Sequence, residues 1–200
     1  MATQPVSPPE FRILSVSDDR SGISTAARSA PPGYRGWAMM NGFITSTEKD
    51  APQATVITTS GVGTCLIAVV HCIDGTGALG HIAATETPQS ITNCVRQMIE
   101  TLSPSKVACV VLAGGDAVTS EKRAQAVEKI KTLGVDDVKW IQEPQSGFDS
   151  AFYFPKQAKL ALFANDDSNR ETPVDMGTKM RHWMYSGSNA IDKGYKCWVV

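Results

Sequence analysis

Residues 65–73, Cys-Leu-Ile-Ala-Val-Val-His-Cys-Ile, form a nearly unbroken apolar run of strand length. A strand with one solvated face alternates apolar and polar residues, so a run without alternation needs cover on both faces. A chain of 200 residues that is 42% hydrophobic can supply that cover within one principal domain. "KVACVVLA" (106–113) is a second strand of the same kind.

The other elements read outward from this pair. "WAMMNGFITS" reads as a first strand and "ATVITTS" as a second, with "ALGHIAA" returning after the turn "DGTG". Thr87-Pro88 is a helix start, and Ile91, Val95, Met98, Ile99 and Leu102 recur at helical spacing. "TSEKRAQAVEKIKTLG" is a second helix, capped by Thr119 or Ser120 and stopped at Gly134, and it leads to the strand "VKWIQ". "SAFYF" and "KLALFA" read as antiparallel strands across "PKQA". Strands first and a mixture afterwards imply an α+β fold with a mixed sheet.

Residues 1–35, rich in Pro and Ser, read as a flexible N-terminal arm, residues 36–164 as the folded domain, and residues 165–200 as a partly ordered C-terminal extension. The closing "YKCWVV" reads as a docking strand or a loose end.

Nineteen basic and 20 acidic residues leave a net charge of −1, without the basic footprint of a nucleic-acid or anionic-membrane binder. No apolar run is long enough to span a bilayer, and no basic leader or apolar signal core is read at the N-terminus, so a cytosolic location is expected. The five cysteines are odd in number and lack CxxC spacing, which reads as reduced thiols without a zinc site.

"GTGALG" (75–80) fits the GxGxxG dinucleotide fingerprint, but no helix starts within it and a helix occupies the place of the required second strand. "LAGGDA" is a strand-to-helix turn that could meet an anion but shows no basic partner nearby.

Cys109 and Cys94 read as core residues, and Cys72 as similar to them. Cys65 differs, because it follows Gly61 and Gly63 where a turn gives way to a strand. Glycines there admit positive φ, let N–H groups near Thr64 and Cys65 converge on a developing oxyanion, and leave room for a substrate. Converging amides also favour the thiolate, the attacking form. Of the three histidines, His71 lies in the apolar strand, His182 in the polar tail and His81 on the returning strand, where a buried structural role is the plain reading. A tight turn at Gly75-Thr76 would set His81 opposite Val70, leaving Cys65 five residues away, about 16 Å along a strand. Spacing alone leaves their pairing open.

"TSGVGTC" followed by the histidine of "GALGHIAA" resembles the CheD family, bacterial chemoreceptor glutamine deamidases with a Thr-x-Gly-Leu-Gly-Ser-Cys motif and a downstream Gly-x-x-His. The likeness spans roughly residues 54–163 and includes the turn in "KVACVVLAGGDAV". It departs from the family where "IAATETP" replaces a segment ending Leu-Pro, and in both terminal extensions. A similar Cys–His core occurs in cytotoxic necrotizing factor and related toxins.

The resemblance implies a mixed sheet or β-sandwich core flanked by helices. It also implies catalysis by Cys65 as nucleophile, His81 as base and Thr59 as its orienting partner, with Gly61, Gly63 and Thr64 forming the oxyanion turn. The implied activity is protein-glutamine deamidation through a thioester, without metal or cofactor, on a protein bearing an exposed glutamine, such as a chemotaxis receptor. Transglutamination, an effector delivered into host cells to act on a regulatory protein, and a non-catalytic binding module on the same fold are the alternatives.

Overall fold

A computed structural model describes residues 10–14, 35–38, 40–46, 56–115, 118–142, 148–164 and 196–197. In chain order the elements are β1 (Arg12–Leu14), β2 (Arg35–Trp37), β3 (Gly42–Thr45), β4 (Val56–Gly63), β5 (Leu66–Cys72), β6 (Gly77–Ile82) and α1 (Pro88–Leu102). Then follow β7 (Val107–Gly114), α2 (Ser120–Lys131), β8 (Val138–Ile141), β9 (Phe148–Phe154), a 3-10 turn at Pro155–Gln157, β10 (Lys159–Ala164) and β11 (Lys196–Cys197).

The strands form two mixed sheets, ordered β1-β10-β9-β4-β2 and β11-β3-β6-β5-β7-β8. Helices α1 and α2 pack on the second sheet, which lies between them and the first. The fold is therefore α+β, as expected from the order of elements, and its core lies between two mixed sheets.

Strand β5 lies inside the middle layer, and every one of its residues is buried. Leu66, Ala68 and Val70 face the helices, where they meet Ile91, Val95, Met98 and Ile130. Ile67 and Val69 face the other sheet, meeting Ile57, Ala151, Tyr153 and Leu160. Two separate cores on the two faces of one strand explain why its sequence does not alternate. Helix α1 starts where Thr87 Oγ1 accepts the Ser90 N–H at 3.1 Å, and Thr119 caps α2 in the same way through Lys122. No helix among the described residues is long and apolar enough to cross a membrane.

The structure places several segments differently from the sequence reading. "WAMMNGFITS" is not one strand: Arg35–Trp37 pairs with β4 in the first sheet, and Gly42–Thr45 pairs with β6 in the second. Ala38 still bonds to Thr58 of β4, whereas Met40 and Asn41 already meet His81 of β6, and Asn41 has a left-handed φ of 60°. Residues 12–14, read as part of the arm, form an edge strand parallel to β10. Lys196–Cys197 docks on β3. Residues 1–9, 15–34, 165–195 and 198–200, His182 included, lie outside the described residues.

The β5–β6 hairpin also departs from a tight turn. Its loop is the three residues Ile73–Gly75, closed by Cys72 N–H to Thr76 O at 2.9 Å and shaped by Asp74 Oδ1, which accepts from the Thr76 N–H and hydroxyl. Gly75 supplies a φ of 76°. The turn is centred on Asp74 and not on Gly75-Thr76, which shifts the register by three, and His81 pairs with Ile67, not Val70.

Candidate active site

Thr59 lies on β4 with its side chain on the inner face of the first sheet and no solvent exposure. Its hydroxyl stands 2.8 Å from the Ala38 carbonyl oxygen and 2.9 Å from His81 Nδ1. A hydroxyl has one proton to give, and a carbonyl can only accept. The Thr59 proton therefore goes to Ala38 O, and the hydroxyl oxygen accepts from an Nδ1–H. This arrangement selects the Nδ1–H tautomer of His81 and puts the ring's lone pair on Nε2.

That Nε2 is buried and has no hydrogen-bond partner, the only such side-chain nitrogen or oxygen among the described residues. Burial pushes the pKa of His81 down to about 4, because a charged imidazolium is poorly solvated there. At neutral pH the ring is an uncharged base with an unused lone pair.

Register brings Cys65 towards it. His81 pairs with Ile67 across β5–β6, and Cys65 precedes Ile67 by two residues, about 7 Å along a strand. Side chains two apart share a face, and Cys65 accordingly packs against the inter-sheet core beside which His81 lies. Cys65 and His81 are diagonal neighbours on one face, a relationship that leaves long side chains within reach. The five-residue gap of the tight-turn reading is replaced by two.

The glycine-rich stretch is built differently from a simple loop. Gly61 remains in β4, where pairing passes from Ser60↔Ser150 to Gly63↔Phe148, so that Gly61 and Val62 face one residue of β9 as a bulge. The turn itself spans Val62–Cys65, closed by Cys65 N–H to Val62 O at 2.7 Å, with Gly63 at φ 50°. Gly63 and Thr64 are exposed, and a side-chain atom added at Gly63 would meet open space. The Cys65 N–H, expected as an oxyanion donor, is thus committed to the turn.

A second glycine corner abuts the cysteine. Gly115 N–H donates to Cys65 O at 3.1 Å, and both Gly114 and Gly115 have positive φ. "LAGGDA" was expected to lack a basic partner, yet Arg123 reaches back from α2 to donate to Gly115 O and Val118 O at 3.1 and 2.8 Å. Trp140 on β8 donates to Gly114 O at 3.1 Å and lies beneath the same guanidinium. Neither residue is near the corner in sequence. The consecutive glycines were the available signal, and they marked a turn without naming its partners. The role of the Ala38 carbonyl carried no signal at all, since any residue provides one.

Three other cysteines and His71, among the described residues, are structural by position. Cys72, Cys94 and Cys109 are buried, and burial raises all three thiols, Cys72 and Cys109 to about 11. His71 is satisfied by Tyr153 Oη at 2.7 Å and covered by Phe11. In "GTGALG", Gly75 serves the turn and the other two glycines serve packing: an atom added at Gly77 would strike the Tyr153 hydroxyl, and one at Gly80 would press on Met98 and Phe43. Among the described residues no three His, Cys, Asp or Glu side chains converge as a metal-binding group.

The chain matches no model of a known protein family, and no curated protein matches it.

Proposed function

We propose that this chain is a cysteine amidohydrolase that converts glutamine side chains of a protein substrate to glutamate. The observation that carries the reading is the relay Ala38–Thr59–His81, which leaves an imidazole lone pair buried and unmatched on the face that Cys65 shares. A core histidine kept only for packing would satisfy both nitrogens, because each unmatched buried group costs about 1–3 kcal/mol. The likeness of Thr59–Cys65 and His81 to the CheD motif supports glutamine as the substrate side chain.

In this reading His81 Nε2 removes the proton from Cys65 Sγ, after a small closing movement of the kind that tightens hydrogen bonds when substrate binds. The thiolate attacks the carboxamide carbon and the C=O becomes an oxyanion. With the Cys65 N–H committed to Val62, the turn's contribution to that charge falls to the Thr64 N–H. The imidazolium then protonates the departing nitrogen, the C–N bond breaks and ammonia leaves a thioester. Burial makes the imidazolium a strong acid, which favours this second transfer. Water, deprotonated by the same Nε2, attacks the thioester; the C–S bond breaks and glutamate and the thiol are released.

Glutamine-to-glutamate conversion, read by mass spectrometry in bacterial and animal-cell extracts given the wild-type protein or Cys65→Ser, tests the proposal. Conversion by the wild type alone is expected. A primary amine added to the reaction separates hydrolysis from transglutamination, since the latter leaves the amine attached.

A further inference from the structure

We propose that Asn41 is a positioning residue for His81, held in a left-handed backbone conformation so that it can grip β6; the inference rests on the amidohydrolase reading above. Asn41 is one of two non-glycine residues with positive φ among those described, at 60°. The other, Ala158, sits in the tight connection between β9 and β10, where the turn itself explains it. Asn41 is exposed, so no core packing holds it there.

Its contacts converge on the histidine. The Asn41 N–H donates to the His81 carbonyl at 2.7 Å, and Asn41 Oδ1 accepts from the Ala83 N–H at 3.2 Å. One residue thereby grips β6 at His81 and just beyond it. Its neighbour Met40 forms a further backbone bridge to His81.

The same short segment is tied to the opposite sheet. Ala38 N–H donates to Thr58 O at 2.9 Å, and Ala38 O receives the Thr59 hydroxyl proton. Residues 38 and 41 therefore bond to β4 and β6, which belong to different sheets. Ala38 thus anchors the strap beside Thr59, and Asn41 anchors its other end at His81. Glycine would adopt the left-handed conformation with less strain, but it offers no acceptor for Ala83. Asparagine meets both requirements.

The test uses the full-length protein and iodoacetamide, whose reaction with Cys65 reads activation of the sulfur whatever the natural substrate. Asn41→Asp keeps the acceptor and tolerates the conformation, and is expected to label within about threefold of wild type. Asn41→Gly loses the acceptor and Asn41→Ala loses both features, with Cys65 labelling falling by about 10-fold in the alanine variant. In ¹⁵N spectra the His81 ring should show a pure Nδ1–H tautomer in wild type and Asn41→Asp, and a mixture in Asn41→Ala. Should the alanine variant fail to fold, Asn41→Gly carries the comparison.

A residue needed only for stability would lower the melting temperature without changing tautomer or labelling rate in the folded protein, and that result overturns the proposal. The two readings fail separately. Equal labelling of wild type and His81→Gln defeats the amidohydrolase assignment, whereas a difference there with wild-type behaviour of Asn41→Ala defeats only the role of Asn41.

Discussion

Thr59 Oγ1 accepts the Nδ1 proton of His81 at 2.9 Å, and the direction of that bond is fixed because the same hydroxyl gives its own proton to Ala38 O. Two residues on different sheets thus determine which nitrogen of the ring is basic.

Removing the hydroxyl should separate structure from activity. Thr59→Val leaves the Ala38 carbonyl and the His81 Nδ1–H unmatched, at an expected cost of about 1–3 kcal/mol by urea denaturation. It also releases the tautomer, so glutamine conversion should fall by about 100-fold, the lower end of what a positioned base contributes. Thr59→Ser keeps the relay and should retain most of both.

His81 makes folding depend on pH. Its folded pKa of about 4 lies below the ordinary value of 6.5, so the unfolded chain binds the proton first as pH falls. Its stability contribution is complete above 6.5, declines below that value, and is fully lost once pH passes below the folded pKa. At about 1.4 kcal/mol per pH unit the loss between pH 7 and pH 4 amounts to about 3 kcal/mol. Burial lowers His71 as well, with the same sign, partly opposed by Asp74. Denaturation curves of wild type and His81→Gln at pH 7 and pH 4.5 should show a shallower pH dependence in the variant.

Two glycine substitutions should differ sharply. Gly63→Ala meets no neighbour and pays only for its positive φ, about 1–2 kcal/mol. Gly77→Ala puts a carbon onto the Tyr153 hydroxyl and 2.6 Å from the Val70 carbonyl, backbone that cannot yield. Overpacking of this kind costs about 1–3 kcal/mol or more, so soluble yield and melting temperature should fall much further at Gly77 than at Gly63.

Thiol labelling should rank the described cysteines. Cys65 is partly exposed, whereas Cys72, Cys94 and Cys109 are buried with raised pKa values. In native protein at pH 7, peptide mapping after brief iodoacetamide treatment should find Cys65 modified and these three intact until the protein is unfolded.

Much of this architecture was legible in the chain, and the reasons differ by residue. The unbroken run at 66–72 demanded two covered faces, and it has them. Thr87-Pro88 and Thr119 carry their own capping chemistry, so both helix starts were readable. The hairpin register was not, because the chain turns in a three-residue loop centred on Asp74 where a two-residue turn at Gly75-Thr76 was the simpler reading. That single difference determined whether Cys65 and His81 could lie near each other. Gly61 looked like part of a turn because a bulge and a turn use the same residue. The Ala38 carbonyl and the reach of Arg123 to Gly115 depend on tertiary placement, which no local pattern encodes.

Isotope-resolved conversion tests the central claim most directly. Wild-type protein and Cys65→Ser are each incubated with cell extract in H₂¹⁸O, and glutamine sites are followed by mass spectrometry. The account predicts glutamates carrying one ¹⁸O from water at particular sites with the wild type, and none above background with Cys65→Ser. Equal ¹⁸O-glutamate in both reactions, or none in either, would contradict it.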